Sequence, residues 1–174
     1  MLPFSSHAHV AASRGLSCRN QLTLEITMAT DPYLRAAIEQ ARKSQSEGGI
    51  PIGSVLVHEG EIIGRGHNCR VQTDSPIDHG EMNCLRNAGR LASTVYRRST
   101  LYTTLSPCPM CSGAIVLYKI PRVVAGENKT FLGAEDYLRS QGVEVKVLQD
   151  AECIKLMSDF IRAHPALWNE DIGV

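Results

Sequence analysis

Apolar and polar positions along the chain switch repeatedly between a helical period and an alternating one. Leu34, Ala37, Ile38 and Ala41 recur at the spacing that puts side chains on one helix face. Asp31-Pro32 opens that run as N-cap and first helical residue: an Asp carboxylate accepts from first-turn N–H groups, and Pro has no N–H to leave unpaired. Gly48-Gly49 closes it. Ile52–His58 and Glu61–Gly66 then read as two strands about a tight turn at Glu59-Gly60. Helical spacing returns over His79–Gly89 through Met82, Leu85 and Ala88. Thr100–Thr104 is a short strand, Cys108–Tyr118 an apolar helix through Ala114, Ile115 and Leu117, and Arg122–Ala125 a strand. A loop and short helix over Phe131–Gln141, a strand at Glu144–Leu148 and an amphipathic helix from Asp150 to Ala163 follow. The tail Leu167-Trp168-Asn169-Glu170-Asp171-Ile172 receives no element.

Strands alternating with helices predict an α/β fold, a three-layer α/β/α sandwich around one sheet of about five strands. The early hairpin makes that sheet mixed rather than purely parallel. No repeat, low-complexity tract or Gly/Ser linker interrupts residues 28–174, which are read as one domain. Residues 1–27 differ: Arg14 and Arg19 face a single acid, Glu25, with no sustained periodicity. A disordered extension, translation starting at Met28 and an organelle transit peptide are three readings of that stretch, the first two preferred.

Composition narrows the partners. With 174 residues, 43% of them hydrophobic and 21% charged, the chain is globular in type. Lys+Arg and Asp+Glu both total 18, so no net positive charge is available to hold phosphates. A small neutral substrate is expected, with no nucleic acid. No apolar run nears the roughly 18 residues of a membrane span, so no membrane partner is expected either. Of the cysteines at 18, 69, 84, 108, 111 and 153, only Cys108 and Cys111 form a close pair. Without a secretory apolar segment that usage points to a reducing compartment, the cytoplasm with or without the nucleus.

Two segments carry the candidate chemistry, His79-Gly80-Glu81 and Pro107-Cys108-Pro109-Met110-Cys111, each where chain turns into helix. A Cys-x-x-Cys turn at a helix start aims two sulfurs at one point, and the helix N-terminus favours their thiolate form. His79 supplies a third ligand for one Zn2+ per chain, and the fourth position stays open for a water, as in catalytic rather than structural sites. Glu81, two residues from His79, is expected to face substrate and move protons. His-x-Glu followed by Pro-Cys-x-x-Cys is the pattern of zinc deaminases. A redox pair and a structural zinc site are the plainer readings of Cys-x-x-Cys; no thioredoxin-like unit supports the first and no second Cys-x-x-Cys the second. Cys69, Cys84 and Cys153 read as small buried hydrophobes.

From about Asp31 to Ile172 the sequence resembles the cytidine deaminase-like superfamily, and within it the fungal, yeast-type cytosine deaminases. The matching stretches are Glu47–Gly53, Gly64-Arg65-Gly66-His67-Asn68, His79-Gly80-Glu81, Leu101–Cys108, Gly126-Glu127-Asn128, and Trp168 with Glu170-Asp171-Ile172-Gly173. Ser54, the Met82-Asn83-Cys84 run and Arg86 depart from the family pattern. The resemblance implies that Asn68 and Asp171 read a pyrimidine, with orientation of His79 as the other role open to Asp171. It further implies Gly80 beside the substrate, Phe131 and Trp168 as walls or lid, Leu105 and Ile52 in the pocket lining, and a homodimer as active unit. The activity implied is hydrolysis of cytosine to uracil and ammonia in pyrimidine salvage. A guanine or other small-base deaminase is the alternative on the same scaffold, and a non-catalytic zinc module the alternative of another class.

Overall fold

The structure is a computed structural model that describes residues 31–174; the 1–27 extension and Cys18 lie outside the described residues. The hairpin expected after Gly49 is formed by β1 (Gly53–His58) and β2 (Glu61–His67). Its turn residues Glu59 and Gly60 both take positive φ, 50° and 86°, the backbone twist that suits a two-residue hairpin. β3 (Ser99–Leu105), β4 (Arg122–Glu127) and β5 (Glu144–Val147) complete a five-stranded sheet in the order β2-β1-β3-β4-β5. β1 runs antiparallel to both neighbours, and β3, β4 and β5 are parallel. The sheet is therefore mixed, as the hairpin implied.

Strand periodicity sorts the apolar residues into two layers. Leu56, Leu101 and Val123 sit in register across β1, β3 and β4. They pack with Cys84 and Leu85 of α3 (Gly80–Ala88), Tyr96 of α4 (Ser93–Tyr96), Ile115 of α5 (Pro109–Tyr118) and Leu138 of α6 (Glu135–Ser140). One residue along, Val55, Tyr102 and Val124 form the opposite row. That row packs on Leu34, Ala37 and Ile38 of α1 (Pro32–Ser46) and on Cys153 of α7 (Ala151–Ala163). The cap foreseen for α1 forms, Asp31 accepting from Tyr33 and Leu34 N–H; Asp150, expected to begin α7, instead caps it by accepting from Glu152 and Cys153 N–H.

Gly66 fixes how closely α3 can approach the sheet. A Cβ there would lie 2.2 Å from Cys84 N and 2.6 Å from Cys84 Cα, both backbone atoms of α3. The absent side chain thus sets the distance between sheet and the helix that carries His79 and Glu81. Cys84 itself is fully buried and turned into the core, and burial pushes its thiol up to about 12.

Three helices go beyond the sequence reading. α2 (Arg70–Thr73) and α4 span single turns, too short for any periodicity to show. The tail is α8 (Pro165–Ile172), begun by Pro165 at its first position. Its buried residues are Trp168 and Asp171, and Trp168 joins Ile50, Ile52, Leu105, Met157 and Phe160 in a third apolar cluster beside the end of β3.

Candidate active site

The sequence reading starts helices at His79 and Cys108; the structure makes each the N-cap residue instead. Their backbones are nearly alike, φ −65° and ψ 161° at His79, φ −66° and ψ 169° at Cys108. Pro109 occupies the first turn of α5, and Cys111 follows two residues later in the same turn, fully buried. The ligand atoms of His79, Cys108 and Cys111 all lie within 4.8 Å of one another. Cys108 Sγ stands 3.5 Å from His79 Nδ1. Zn–S near 2.3 Å and Zn–N near 2.0–2.1 Å in a tetrahedron put sulfur and nitrogen about 3.6 Å apart, so the pair fits a shared zinc. One imidazole and two sulfurs is also the donor chemistry zinc prefers.

In the metal-free chain the three groups share protons unequally. A hydrogen bond from the Cys111 thiol brings Cys108 down to about 4 against the opposing effect of burial, with His79 helping. The same hydrogen bond, then burial, holds the Cys111 thiol well above the ordinary cysteine range. Burial works to lower His79, but the Cys108 sulfur and the Asp171 charge outweigh it and the imidazole is raised.

Glu81 lies in the first turn of α3, only 3% exposed. Thr103 Oγ1, at the end of β3, donates to its Oε1 at 3.3 Å, and Cys111 Sγ reaches its Oε2 at 3.4 Å. Burial first, then the Cys108 charge, pushes this carboxyl up to about 7. A carboxyl poised there can take and return a proton near neutral pH.

Asp171 comes from α8 and meets the site from the other side. Its Oδ1 accepts from Asn68 Nδ2 at 2.9 Å and Arg70 Nη1 at 3.1 Å, and lies 3.7 Å from His79 Nε2. The two imidazole nitrogens are thereby divided, Nδ1 toward the cysteines and Nε2 toward the carboxylate. Asp171 stands within ion-pair reach of His79 and also lines the pocket, so both roles open to it have a geometry here. Asn68 follows β2 directly and is fully buried; its Oδ1 accepts the Arg70 N–H, so it also shapes the turn there.

Ile52, Leu105, Phe131 and Trp168 line one pocket with His79, Glu81, Cys108 and Asp171. Phe131 meets Trp168 edge-on with ring centres 5.7 Å apart. Asn68 and Gly80 are not among the lining residues; Gly80 stands behind Ile52, where a Cβ would lie 3.2 Å from the Ile52 carbonyl oxygen. The free space inside is about 20 Å³, room for about one water.

Other residues at the site escaped the sequence reading. Ser106 and Ile172 also line the pocket. Ser106 Oγ donates to Glu135 Oε1 at 2.8 Å and accepts from Gly133 N at 3.1 Å, and Asn128 Nδ2 donates to the same Glu135 oxygen at 3.0 Å. These bonds staple the Phe131 loop to the strand end before Cys108. The position of Ser106, two residues before a ligand, was a usable signal; Thr103, Arg70 and Glu135 carried none.

A family model of the cytidine and deoxycytidylate deaminase zinc-binding region matches residues 28–127. The cytosine deaminase of Candida albicans is 57% identical over 141 residues, covering 80% of this chain and 94% of that enzyme. The tRNA-specific adenosine deaminase of Bacillus subtilis is 37% identical over 140 residues, 75% of this chain and 87% of that protein. Among solved structures, guanine deaminase from Bacillus subtilis aligns with a TM-score of 0.52 at 28% identity, covering 67% of this chain and 73% of that one. With the His79, Cys108 and Cys111 donor set in place and the matched region spanning more than half of its length, the chain belongs to the zinc-binding cytidine and deoxycytidylate deaminase family.

Proposed function

We propose that this protein hydrolyses free cytosine to uracil and ammonia, in pyrimidine salvage and as a homodimer. The observation that carries the substrate is the 57% identity to a cytosine deaminase, which extends beyond the metal motif over 80% of the chain. The balanced charge supports a free base over a polymer: Lys+Arg and Asp+Glu both total 18.

His79, Cys108 and Cys111 would hold zinc, which when bound supplies Lewis-acid activation of water. Glu81 takes the proton of the water that adds at C4 and delivers it to ring N3. It then takes the remaining proton from the new C4 hydroxyl and passes it to the exocyclic nitrogen, so that C4=O forms, the C4–N bond breaks and ammonia leaves. Asp171, held in place by Asn68, meets the polar edge of the ring and orients His79, and Ile52, Leu105, Phe131 and Trp168 clamp the ring faces and keep bulk water out.

The test is ammonia release from the zinc-loaded protein with cytosine, cytidine, guanine and adenosine at matched concentrations. Cytosine is expected to dominate. No uracil from cytosine would end this reading, and preferential turnover of guanine would move the assignment to the small-base alternative.

A further inference from the structure

We propose that Arg70 is the positioning residue that fastens α8 to the body of the protein and aims Asp171 at His79. The proposal rests on the deaminase reading of the site, and its central measurement does not.

α8 is eight residues long, yet it supplies Trp168, Asp171 and Ile172 to the pocket. Apolar packing of Trp168 holds one side of it. The polar hold comes from the segment between β2 and α3. Arg70 donates from Nη1 to Asp171 Oδ1 at 3.1 Å and from Nη2 to Glu170 Oε1 at 3.3 Å. The two arms of one planar fork therefore grip consecutive residues of α8, an arrangement that a lysine ammonium cannot reproduce in full. The arms are unlike: Asp171 is 3% exposed and Glu170 68%. The Arg70 side chain is itself only 11% exposed, and its Nε is buried without a hydrogen-bond partner among the described residues. A guanidinium withdrawn from water with one donor unpaired is held there by its other contacts. Those contacts lead to the oxygen that faces His79 Nε2 at 3.7 Å. Remove the guanidinium, and Asp171 keeps the Asn68 amide at 2.9 Å but loses its countercharge.

The chain contains a single tryptophan, Trp168, on α8 itself, so its fluorescence reports whether the helix is docked without any substrate. In the zinc-loaded full-length protein, Arg70→Gln is expected to make Trp168 more open to acrylamide quenching and shift its emission to the red. It should also lower kcat/KM for cytosine by about tenfold or more through misplaced groups, with zinc content unchanged. Arg70→Lys, which keeps the charge and can meet Asp171 but not both carboxylates, should restore part of both; a role in packing alone would give no such rescue. Unchanged quenching in both variants overturns the proposal, whatever happens to turnover. Should Arg70→Gln fail to fold, Arg70→Lys carries the test alone, its quenching expected to lie above wild type. A wild-type protein inactive on cytosine would end the substrate reading and leave the quenching comparison standing.

Discussion

Cys108 Sγ and His79 Nδ1, 29 residues apart in sequence, lie 3.5 Å from each other across two helix N-caps. A sulfur and a ring nitrogen that close suit one shared ion. Near pH 7 the Cys108 sulfur is a thiolate, while Cys111 keeps its proton. Zinc uptake is therefore expected to release about one proton from Cys111, plus whatever fraction His79 carries. Since that proton must leave, apparent zinc affinity falls as pH falls. Calorimetry of zinc binding in buffers of differing ionisation enthalpy measures the release directly, and a proton count near zero would contradict the assignment of the shared proton. Chelation should abolish turnover, and zinc should restore it.

Glu81 is expected to give the cleanest separation of stability from activity. Its carboxyl is raised from 4.5 to about 7 in the fold. Folding therefore takes up a proton at this group, whose contribution to stability is fully present below pH 4.5 and is lost as pH rises to 7. Glu81→Gln is neutral at every pH and escapes that decline. The metal-free variant should be more stable than wild type by on the order of 1–3 kcal/mol above pH 7, the gap closing below pH 4.5. The zinc-loaded variant should retain metal and lose turnover by about 100-fold to 10,000-fold. Melting curves at pH 5 and pH 8, with a zinc assay and a rate, check all three points.

Gly66→Ala tests the link between sheet spacing and site. Its Cβ would press on α3 backbone at 2.2 Å, so the helix carrying His79 and Glu81 must move. A loss of about 1–3 kcal/mol is expected for such overpacking, together with weaker zinc binding. Weaker zinc binding sets this variant apart from ordinary core damage, and a variant with normal zinc affinity would show that α3 can shift without disturbing the ligands.

Phe131→Ala should open the pocket more than it unfolds the protein. The edge contact with Trp168 contributes about 0.5–1.5 kcal/mol beyond simple burial. Access and clamping change together: KM for cytosine is expected to rise, and cytosines bearing bulk on the ring to be discriminated against less. Glu135→Gln, which weakens the staple on the same loop, should shift KM in the same direction by a smaller factor. Steady-state kinetics on cytosine and a ring-substituted cytosine would show whether the loop acts as a wall.

Much of this molecule was legible in its residues because the relevant signals are local. Asp31-Pro32 and Asp150 cap helices through bonds made within three residues, and Glu59-Gly60 turns a hairpin through two φ angles. The strands β1, β3 and β4 were placed by their local pattern, while the structure set Leu56, Leu101 and Val123 on one face and Val55, Tyr102 and Val124 on the other. The ligand set was legible too, since Cys-x-x-Cys at a helix start and His-x-Glu at another each carry their spacing in the chain. What only the tertiary structure decided was long-range. Asp171 meets Asn68 across 103 residues and Arg70 across 101, and no period or spacing announces a contact made that late in the chain. The helical tail, the division of the His79 nitrogens between sulfur and carboxylate, and the elevated Glu81 carboxyl all follow from burial and charge that neighbours impose. The sequence determined which groups could perform the chemistry; folding determined which way they face and how they are charged.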